Sequence, residues 1–264
     1  MKYNQNKIVL HFNGKYTSGY EYTVDKENLL PVILLCHGNY REGKDSKIML
    51  AMAEMFANNG FIVFSFDNLG YNQAWRPEND EIHSTEEIDL RWTTYLAVSY
   101  IKNKYKGKQI IVVGHSMGAS IALAVGALND CINKIIAISP TRISALITDD
   151  DKLLEFWKNR NSIGIKMDVN TIRSIRFDIM EENYIPLLKR KKTLFICGYK
   201  ERYLGYKSWM KELAKKVGDN CIIIPNADHF FGTYEGRENT GVFEILMKKI
   251  LTWIDRELNN NDIY

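Results

Sequence analysis

The stretch QIIVVGHSMGASIALAVGAL, residues 109–128, decides the fold. An apolar run leads into Gly114-His115-Ser116-Met117-Gly118, and a run of small, helix-forming residues follows. A strand that turns sharply into a helix at G-x-S-x-G is a nucleophile elbow, whose glycines let strand and helix pack closely. The turn lifts the serine hydroxyl above the sheet at a helix N-terminus, where N–H groups favour negative charge. The pentapeptide alone also fits a glycine-rich turn with an incidental serine, but its strand–helix context favours the elbow.

Short apolar runs alternate with segments of helical spacing on both sides of this stretch. The predicted strands are 7–12, 19–24, 31–36, 61–66, 109–113, 133–138, 193–197 and 221–224. The predicted helices are 47–58, 119–128, 206–217 and 241–258, together with a long helix that begins at a capping box at Ser84 and ends at about Tyr105. This pattern predicts an α/β fold with a mostly parallel sheet covered by helices on both faces. The functional residues of such a sheet lie in loops at the carboxyl ends of its strands.

The composition excludes several functional classes. The chain has 264 residues and a formal net charge of only +3, with basic and acidic residues interleaved, so it carries no nucleic-acid footprint. Its four cysteines lack metal-ligand spacing, and neither a secretory leader nor an apolar run of membrane-spanning length is present. We therefore expect a cytoplasmic protein without a membrane span. The sequence does not define an oligomeric state.

Residues 141–191 interrupt the alternation, because they are charged, contain helical patches and hold no strong strand-like run. No linker or internal repeat separates the rest of the chain. We therefore expect one domain over 1–264, with a core of 1–140 and 192–264. A helical cap of about 141–191 is then inserted after the sixth strand.

A serine nucleophile needs a general base, which is usually a histidine. Of the five histidines, His229 alone lies in a loop after a predicted strand and downstream of both Ser116 and a candidate acid. The order Ser…acid…His is the one expected for this architecture. The alternative is a surface-loop histidine that is hydrogen-bonded to the backbone.

The acid that orients the histidine is expected in the loop after strand 193–197. Glu201 lies there, and the alternative interpretation pairs it with Lys200 or Arg202 as an ordinary surface glutamate. Asp228 is the rival acid, although neighbours in an extended turn usually point apart. Position in the chain favours Glu201.

An oxyanion hole requires preorganised N–H donors. We expect one from Met117, directly after the nucleophile, and one from Asn39 or, less favourably, Tyr40. The pair His37-Gly38 is interpreted as structural. Asp67 follows the predicted strand 61–66 and could be a catalytic strand-end carboxylate, but Asx-type hydrogen bonding in the turn DNLG is enough to explain it.

Taken in order, these motifs resemble the α/β-hydrolase superfamily over nearly the whole chain. They are His37-Gly38, Phe66-Asp67-x-x-Gly70, Gly114 to Gly118, Gly198-x-x-Glu201 and Asp228-His229-Phe230. Within it, the chain is similar to small bacterial carboxylesterases, including feruloyl or cinnamoyl esterases and monoacylglycerol-lipase-like enzymes, which typically carry a helical cap after the sixth strand. Two features depart from that family: its acid is more often Asp than Glu, and its Gly-x-Gly turn is replaced here by Gly70-Tyr71-Asn72-Gln73.

The predicted function is a serine hydrolase that cleaves a carboxylic ester through an acyl-enzyme, with Ser116, His229 and Glu201 as its triad. The same triad also serves thioesterases, acyltransferases and serine peptidases, and a non-catalytic ligand-binding protein of this fold is a further alternative. We expect a small-molecule ester or other acyl substrate, and neither a cofactor nor a metal. Four residues are predicted to contact it: Tyr40, His115, Phe156 and Trp157. The alternative for the cap aromatics is that they anchor the cap to the core.

Overall fold

The computed structural model describes residues 3–12, 15–24, 30–40, 42–68, 91–140, 181–201, 206–234 and 240–259. Most of the predicted cap therefore lies outside the described residues, including Phe156 and Trp157. The same is true of the predicted helix start at Ser84 and of the Gly70 turn.

Within these described ranges, eight strands form one sheet in the order β1-β2-β4-β3-β5-β6-β7-β8. Their bounds are β1 Tyr3–Phe12, β2 Lys15–Val24, β3 Val32–Cys36, β4 Ile62–Phe66, β5 Ile110–His115, β6 Ile132–Ile138, β7 Lys192–Gly198 and β8 Asn220–Ile224. Strand β2 pairs antiparallel with β1 and with β4, and every other pairing is parallel. The predicted mostly parallel sheet is therefore confirmed.

Helices cover both faces of the sheet. Their bounds are α1 Lys47–Asn58, α2 Arg91–Lys104, α3 Met117–Leu128, α4 Glu181–Leu188, α5 Tyr206–Val217 and α6 Thr240–Asn259. Alternate residues of the central strands enter two separate apolar cores, as the strand period of two requires. The core with Leu34 and Val112 packs on α2, α3, α4 and α5, whereas the core with Leu35 and Val113 packs on α1 and α6.

Three elements differ from the prediction, namely the strands β1 and β2 and the helix α4. Strands β1 and β2 begin at Tyr3 and Lys15, earlier than their apolar residues indicate, because a ten-residue antiparallel ribbon pairs mostly polar residues at its edge. Helix α4 lies inside the range predicted for the cap. Its Tyr184 and Leu188 are buried in the core that α3 and α5 share.

The parallel strands bring their carboxyl ends to one edge of the sheet. The residues that follow β3, β5, β6, β7 and β8 lie at this edge, and the predicted site residues Asn39, Ser116, Glu201 and His229 are among them. Within the described ranges, no helix has the length and apolar character needed to cross a membrane.

Candidate active site

Ser116 lies at the turn between β5 and α3, with φ 57° and ψ −122°. A non-glycine residue with positive φ is strained by about 1–3 kcal/mol and persists only where its surroundings enforce it. A hydrogen bond and two close backbone approaches hold Ser116 in this conformation. The Ser116 N–H donates to the Ile138 carbonyl at 2.8 Å. A Cβ added at Gly114 would lie 2.1 Å from the Gly118 carbonyl oxygen, and one added at Gly118 would lie 2.1 Å from the Cys36 carbonyl oxygen. Both glycines are therefore needed for strand β5, helix α3 and strand β3 to approach each other.

His229 and Glu201 are hydrogen-bonded. Both Glu201 carboxylate oxygens lie 2.9 Å from His229 Nδ1. The Glu201 side chain is fully buried, and that of His229 is 16% exposed. A carboxylate only accepts, so Nδ1 carries the proton, and in the neutral ring Nε2 is then the basic nitrogen.

Backbone hydrogen bonds hold the loops after β7 and β8 side by side, and this places Glu201 next to His229. Tyr199 N–H donates to the Ile224 carbonyl at 2.9 Å, and Lys200 N–H donates to the Ala227 carbonyl at 2.8 Å. A Cβ at Gly198 would lie 2.4 Å from the Ala227 carbonyl oxygen, so the close approach of the two loops requires glycine.

Asp228, the rival acid, is engaged by the turn that follows it. Its Oδ1 accepts the N–H groups of Phe230 and Gly232, both at 3.1 Å. This turn also holds Phe231 at φ 53°. The Asp228 carboxylate therefore supports the backbone around His229.

The loop after β3 packs directly on the elbow. A Cβ added at Gly38 would lie 2.9 Å from Ser116 Cβ and 2.3 Å from the Tyr40 ring. Asn39 follows Gly38 in this loop, and Met117 is the first residue of α3. The loop that contains Asn39 thus lies against Ser116, and Met117 adjoins Ser116 along the chain.

With this geometry in hand, comparison with known proteins identifies the family. Residues 31–162, half of the chain, match the family model described as alpha/beta hydrolase fold. The chain belongs to the α/β-hydrolase family. The matched range covers strand β3, the elbow and strand β6.

Relatives of this α/β hydrolase extend the likeness over most of its length. It is 22% identical over 258 residues to the monoglyceride lipase homolog of monkeypox virus, which covers 84% of this chain and 88% of that one. A thermostable carboxyl esterase of Bacillus coagulans superposes with a TM-score of 0.73 at 13% identity, covering 95% and 98% of the two chains. Est1E of Butyrivibrio proteoclasticus, with bound ferulic acid, gives 0.65 at 17% identity, covering 92% and 99%. The predicted class, an α/β hydrolase of the esterase and lipase type, is confirmed.

His37 of the α/β hydrolase connects the loop after β3 to the end of β4. Its Nδ1–H donates to the Gly38 carbonyl at 2.7 Å, and its Nε2 accepts the Asn68 N–H at 2.8 Å. Complete burial lowers the pKa of His37, so the ring is neutral and suited to accept that N–H. Both ring nitrogens are thus bonded to backbone, in agreement with the structural interpretation of this residue.

Asp67 forms a buried ion pair with Lys44. Its Oδ1 accepts the Lys44 N–H at 3.0 Å, and its Oδ2 lies 2.8 Å from Lys44 Nζ. The two side chains are only 3% and 4% exposed. The Lys44 ammonium also contacts the Asp45 carboxylate at 2.8 Å and lies 4.8 Å above the Tyr20 ring. The Asp67 carboxylate therefore fixes a loop 23 residues upstream, a role that neither the catalytic nor the Asx-turn interpretation predicted.

Tyr40 and His115, which were predicted to contact substrate, lie inside the protein. Tyr40 is 6% exposed and His115 is fully buried. The Tyr40 hydroxyl is 3.2 Å from His115 Nδ1, and His115 Nε2 is 2.7 Å from the His229 carbonyl oxygen. Because both nitrogens of His115 are used within the protein and its ring has no exposed surface, a substrate contact does not fit this residue. The burial of Tyr40 argues against such a contact in the same way.

Two further features of this edge were not found by sequence reasoning. Ser139, at the end of β6, has φ 46° and is 1% exposed, and its N–H donates to the Ile196 carbonyl at 2.7 Å. The sequence carried no signal for this angle, because the following Pro140 by itself favours an extended Ser139 with negative φ. Next to His229, Phe230 stacks on Tyr234 with ring centroids 5.2 Å apart, and Tyr234 is 55% exposed. These two rings form an aromatic surface beside the histidine.

Proposed function

We propose that this α/β hydrolase cleaves carboxylic esters through an acyl-enzyme, with Ser116 as nucleophile, His229 as general base and Glu201 as the acid that orients it. The observation that carries the proposal is the contact of the fully buried Glu201 carboxylate with His229 Nδ1 at 2.9 Å. A buried carboxylate on a histidine Nδ1 fixes the tautomer whose Nε2 can take a proton from serine. The strained elbow at Ser116 supplies that serine at the same edge of the sheet.

In the first half-reaction, Ser116 Oγ attacks the acyl carbon while His229 Nε2 takes the hydroxyl proton. The buried Glu201 carboxylate stabilises the imidazolium that forms. The carbonyl oxygen becomes an oxyanion, which accepts hydrogen bonds from the N–H groups of Asn39 and Met117. Collapse of this intermediate breaks the ester C–O bond, and His229 returns the proton to the leaving alcohol.

In the second half-reaction, water replaces the alcohol. His229 removes a proton from the water, which attacks the acyl carbon bound to Ser116. The tetrahedral intermediate collapses, the proton returns to Ser116 Oγ, and the carboxylic acid leaves. Each step uses the same two oxyanion donors, so the geometry at the N-terminus of α3 acts twice per turnover.

Two observations favour an ester of a small molecule as substrate. The relatives are a monoglyceride lipase homolog and a carboxyl esterase, and one structural neighbour holds ferulic acid. Beside His229, the stacked rings of Phe230 and Tyr234 offer an apolar surface to an acyl chain or an aromatic ring. The proposed substrate is therefore an uncharged ester with an apolar acyl or aryl group.

The direct test combines turnover with covalent labelling. The wild-type protein should hydrolyse p-nitrophenyl butyrate and react with a fluorophosphonate probe. Ser116→Ala should lose labelling and at least about 10⁴-fold in kcat. Ser120→Ala is the matched control, because it removes a buried serine hydroxyl one turn further along α3.

Two outcomes would refute the proposal. One is a wild-type protein that neither turns over esters nor labels, which would favour a ligand-binding protein. The other is a Ser116→Ala variant as active as Ser120→Ala. A panel of acyl thioesters and aminoacyl amides, assayed beside the esters, tests which acyl bond is cleaved. Faster turnover of a thioester or amide than of every ester would replace ester hydrolysis as the proposed function.

A further inference from the structure

Two hydrogen bonds through His115 connect the loop after β3 to the loop after β8. One joins the Tyr40 hydroxyl to His115 Nδ1 at 3.2 Å, and the other joins His115 Nε2 to the His229 carbonyl oxygen at 2.7 Å. The rings also pack on one another, with centroids 5.9 Å apart for Tyr40 and His115 and 4.8 Å apart for His115 and His229. The three residues are distant in sequence, and the contact to His229 spans 114 positions.

The chemistry of the partners fixes which atoms donate. A backbone carbonyl only accepts, so His115 Nε2 carries the proton that goes to the His229 oxygen. In the neutral ring, Nδ1 is then an acceptor, and the Tyr40 hydroxyl donates to it. Burial, and next to it the nearby His229 ring, lower the pKa of His115 well below its usual value, which agrees with a neutral ring. The bonds therefore run in one direction, from Tyr40 through His115 to His229.

Each end of this series of hydrogen bonds lies at a residue of the proposed catalytic site. At one end is the main chain of His229, whose ring must keep Nδ1 on Glu201. At the other end, Tyr40 immediately follows Asn39, and its ring fills the space above Gly38. In the middle, His115 directly precedes Ser116. A shift of His115 would thus change the separation of base, nucleophile and oxyanion donor together.

We propose that His115 is a positioning residue, which holds the His229 main chain and, through Tyr40, the Gly38–Tyr40 loop in register with Ser116. This inference rests on the proposed ester hydrolysis. His115 and Tyr40 do not touch the substrate, so their loss lowers kcat and leaves KM for a small ester nearly unchanged. A contact residue would instead change KM.

Three single variants and one double variant test the proposal on p-nitrophenyl butyrate. His115→Leu removes both hydrogen bonds and should lower kcat by about 10- to 100-fold, the size of loss that a misplacement of about 1 Å causes. His115→Gln keeps an N–H donor near the position of Nε2 and should restore most of the lost kcat. Tyr40→Phe keeps the ring, loses the hydroxyl, and should lower kcat several-fold. The double variant Tyr40→Phe with His115→Leu should be no slower than His115→Leu alone. The effects of residues that belong to one hydrogen-bond network are not additive.

Tyr105→Phe is the matched control for Tyr40→Phe. It removes a hydroxyl that donates to Glu21 at 2.6 Å, in the segment that leads into the amino end of β5. Both tyrosine variants should lose a similar amount of Tm, and only Tyr40→Phe should lose kcat. If His115→Leu does not fold, this comparison decides the question by itself.

The proposal is overturned if Tyr40→Phe turns over as fast as Tyr105→Phe, if His115→Gln is as slow as a folded His115→Leu, or if KM rises while kcat stays constant. Failure of the underlying function looks different. In that case the wild-type protein itself shows no turnover and no fluorophosphonate labelling.

Discussion

Replacing Glu201 with glutamine removes the carboxylate charge beside His229 and leaves the side-chain volume almost unchanged. In the native protein both oxygens lie 2.9 Å from Nδ1, and the Glu201 side chain has no exposed surface. A glutamine amide can donate to Nδ1, which moves the imidazole proton to Nε2. In the proposed mechanism that nitrogen takes the Ser116 proton, so the variant would hold the ring in the wrong tautomer. The imidazolium that forms during attack also loses its counter-charge.

The structure gives the magnitude. In Ser-His-Asp triads the corresponding acid-to-amide change costs about 10⁴-fold in kcat. The Glu201 carboxylate is as buried as such an acid needs to be, and its charge acts through a medium of low dielectric constant. We therefore expect a loss of about 10³- to 10⁴-fold, or about 4–5.5 kcal/mol of transition-state stabilisation. Glu201→Asp, one methylene shorter, should also lose activity because its carboxylate no longer reaches Nδ1.

Asp228→Asn is the matched control. Asp228 Oδ1 accepts two backbone N–H groups, from Phe230 and Gly232, and an asparagine keeps that oxygen. We expect this variant to keep a kcat close to the wild-type value. Initial rates with p-nitrophenyl butyrate, together with Tm by circular dichroism, make the comparison. A large loss in Asp228→Asn with normal turnover in Glu201→Gln would refute the assignment and make Asp228 the acid.

Three further predictions concern stability. Gly118→Ala places a methyl group 2.1 Å from a carbonyl of β3, so the variant should melt well below the wild-type protein or fail to accumulate in folded form. Asp67→Asn leaves the Lys44 ammonium buried with only its partly exposed second carboxylate, and chemical denaturation should show a loss of about 3 kcal/mol. Burial raises the pKa of Asp219 from 3.8 to about 6. Because its pKa is higher in the folded protein than in the unfolded chain, protonated Asp219 contributes to the free energy of unfolding. This contribution is fully present below pH 3.8 and is lost as the pH rises through about 6. Asp219→Asn, which keeps an acceptor for the Thr193 N–H, should therefore raise Tm at pH 7 but not at pH 4.

Each of these has a clear contrary result. A Gly118→Ala variant with wild-type Tm would mean that helix α3 and strand β3 can separate without cost. Loss of less than about 1 kcal/mol in Asp67→Asn would place the pair among weak surface ion pairs. The double change Lys44→Met with Asp67→Leu should recover part of the stability lost by Asp67→Asn. An Asp219→Asn variant stabilised equally at both pH values would show that titration of this carboxyl is not the cause.

The strands and the elbow could be predicted because their signals are local. Strand β3 is buried on both faces, and its residues form a continuous apolar run, so the strand can be predicted from that run alone. The turn at Ser116 needs glycine on either side, and the glycines are present within five residues. His229 and Glu201 were predicted from their loops and from the chain order, and the fold brings the two side chains into contact.

The buried polar residues could not be predicted in the same way. Lysine is usually exposed at the surface, and the burial of Lys44 is explained by its ion pair with Asp67, which is distant in sequence. His115, next to Ser116, was expected to contact substrate, whereas its hydrogen-bond partners lie 75 and 114 positions away. A hydrogen-bond partner that far along the chain leaves no periodic pattern, so a single sequence contains no signal for it. The polar ends of β1 and β2 were missed for a related reason, because edge strands need not be apolar.

The backbone angles of Ser116 have a consequence for how this protein can change over time. Glycine is the residue that adopts φ 57° and ψ −122° without penalty, so Ser116→Gly should relieve about 1 kcal/mol or more of strain. If Ser116 is the nucleophile, as proposed, the variant would be inactive but more stable. Stability and activity thus pull this one position in opposite directions. Once selection on turnover is relaxed, the nucleophile is where we expect the chain to drift first.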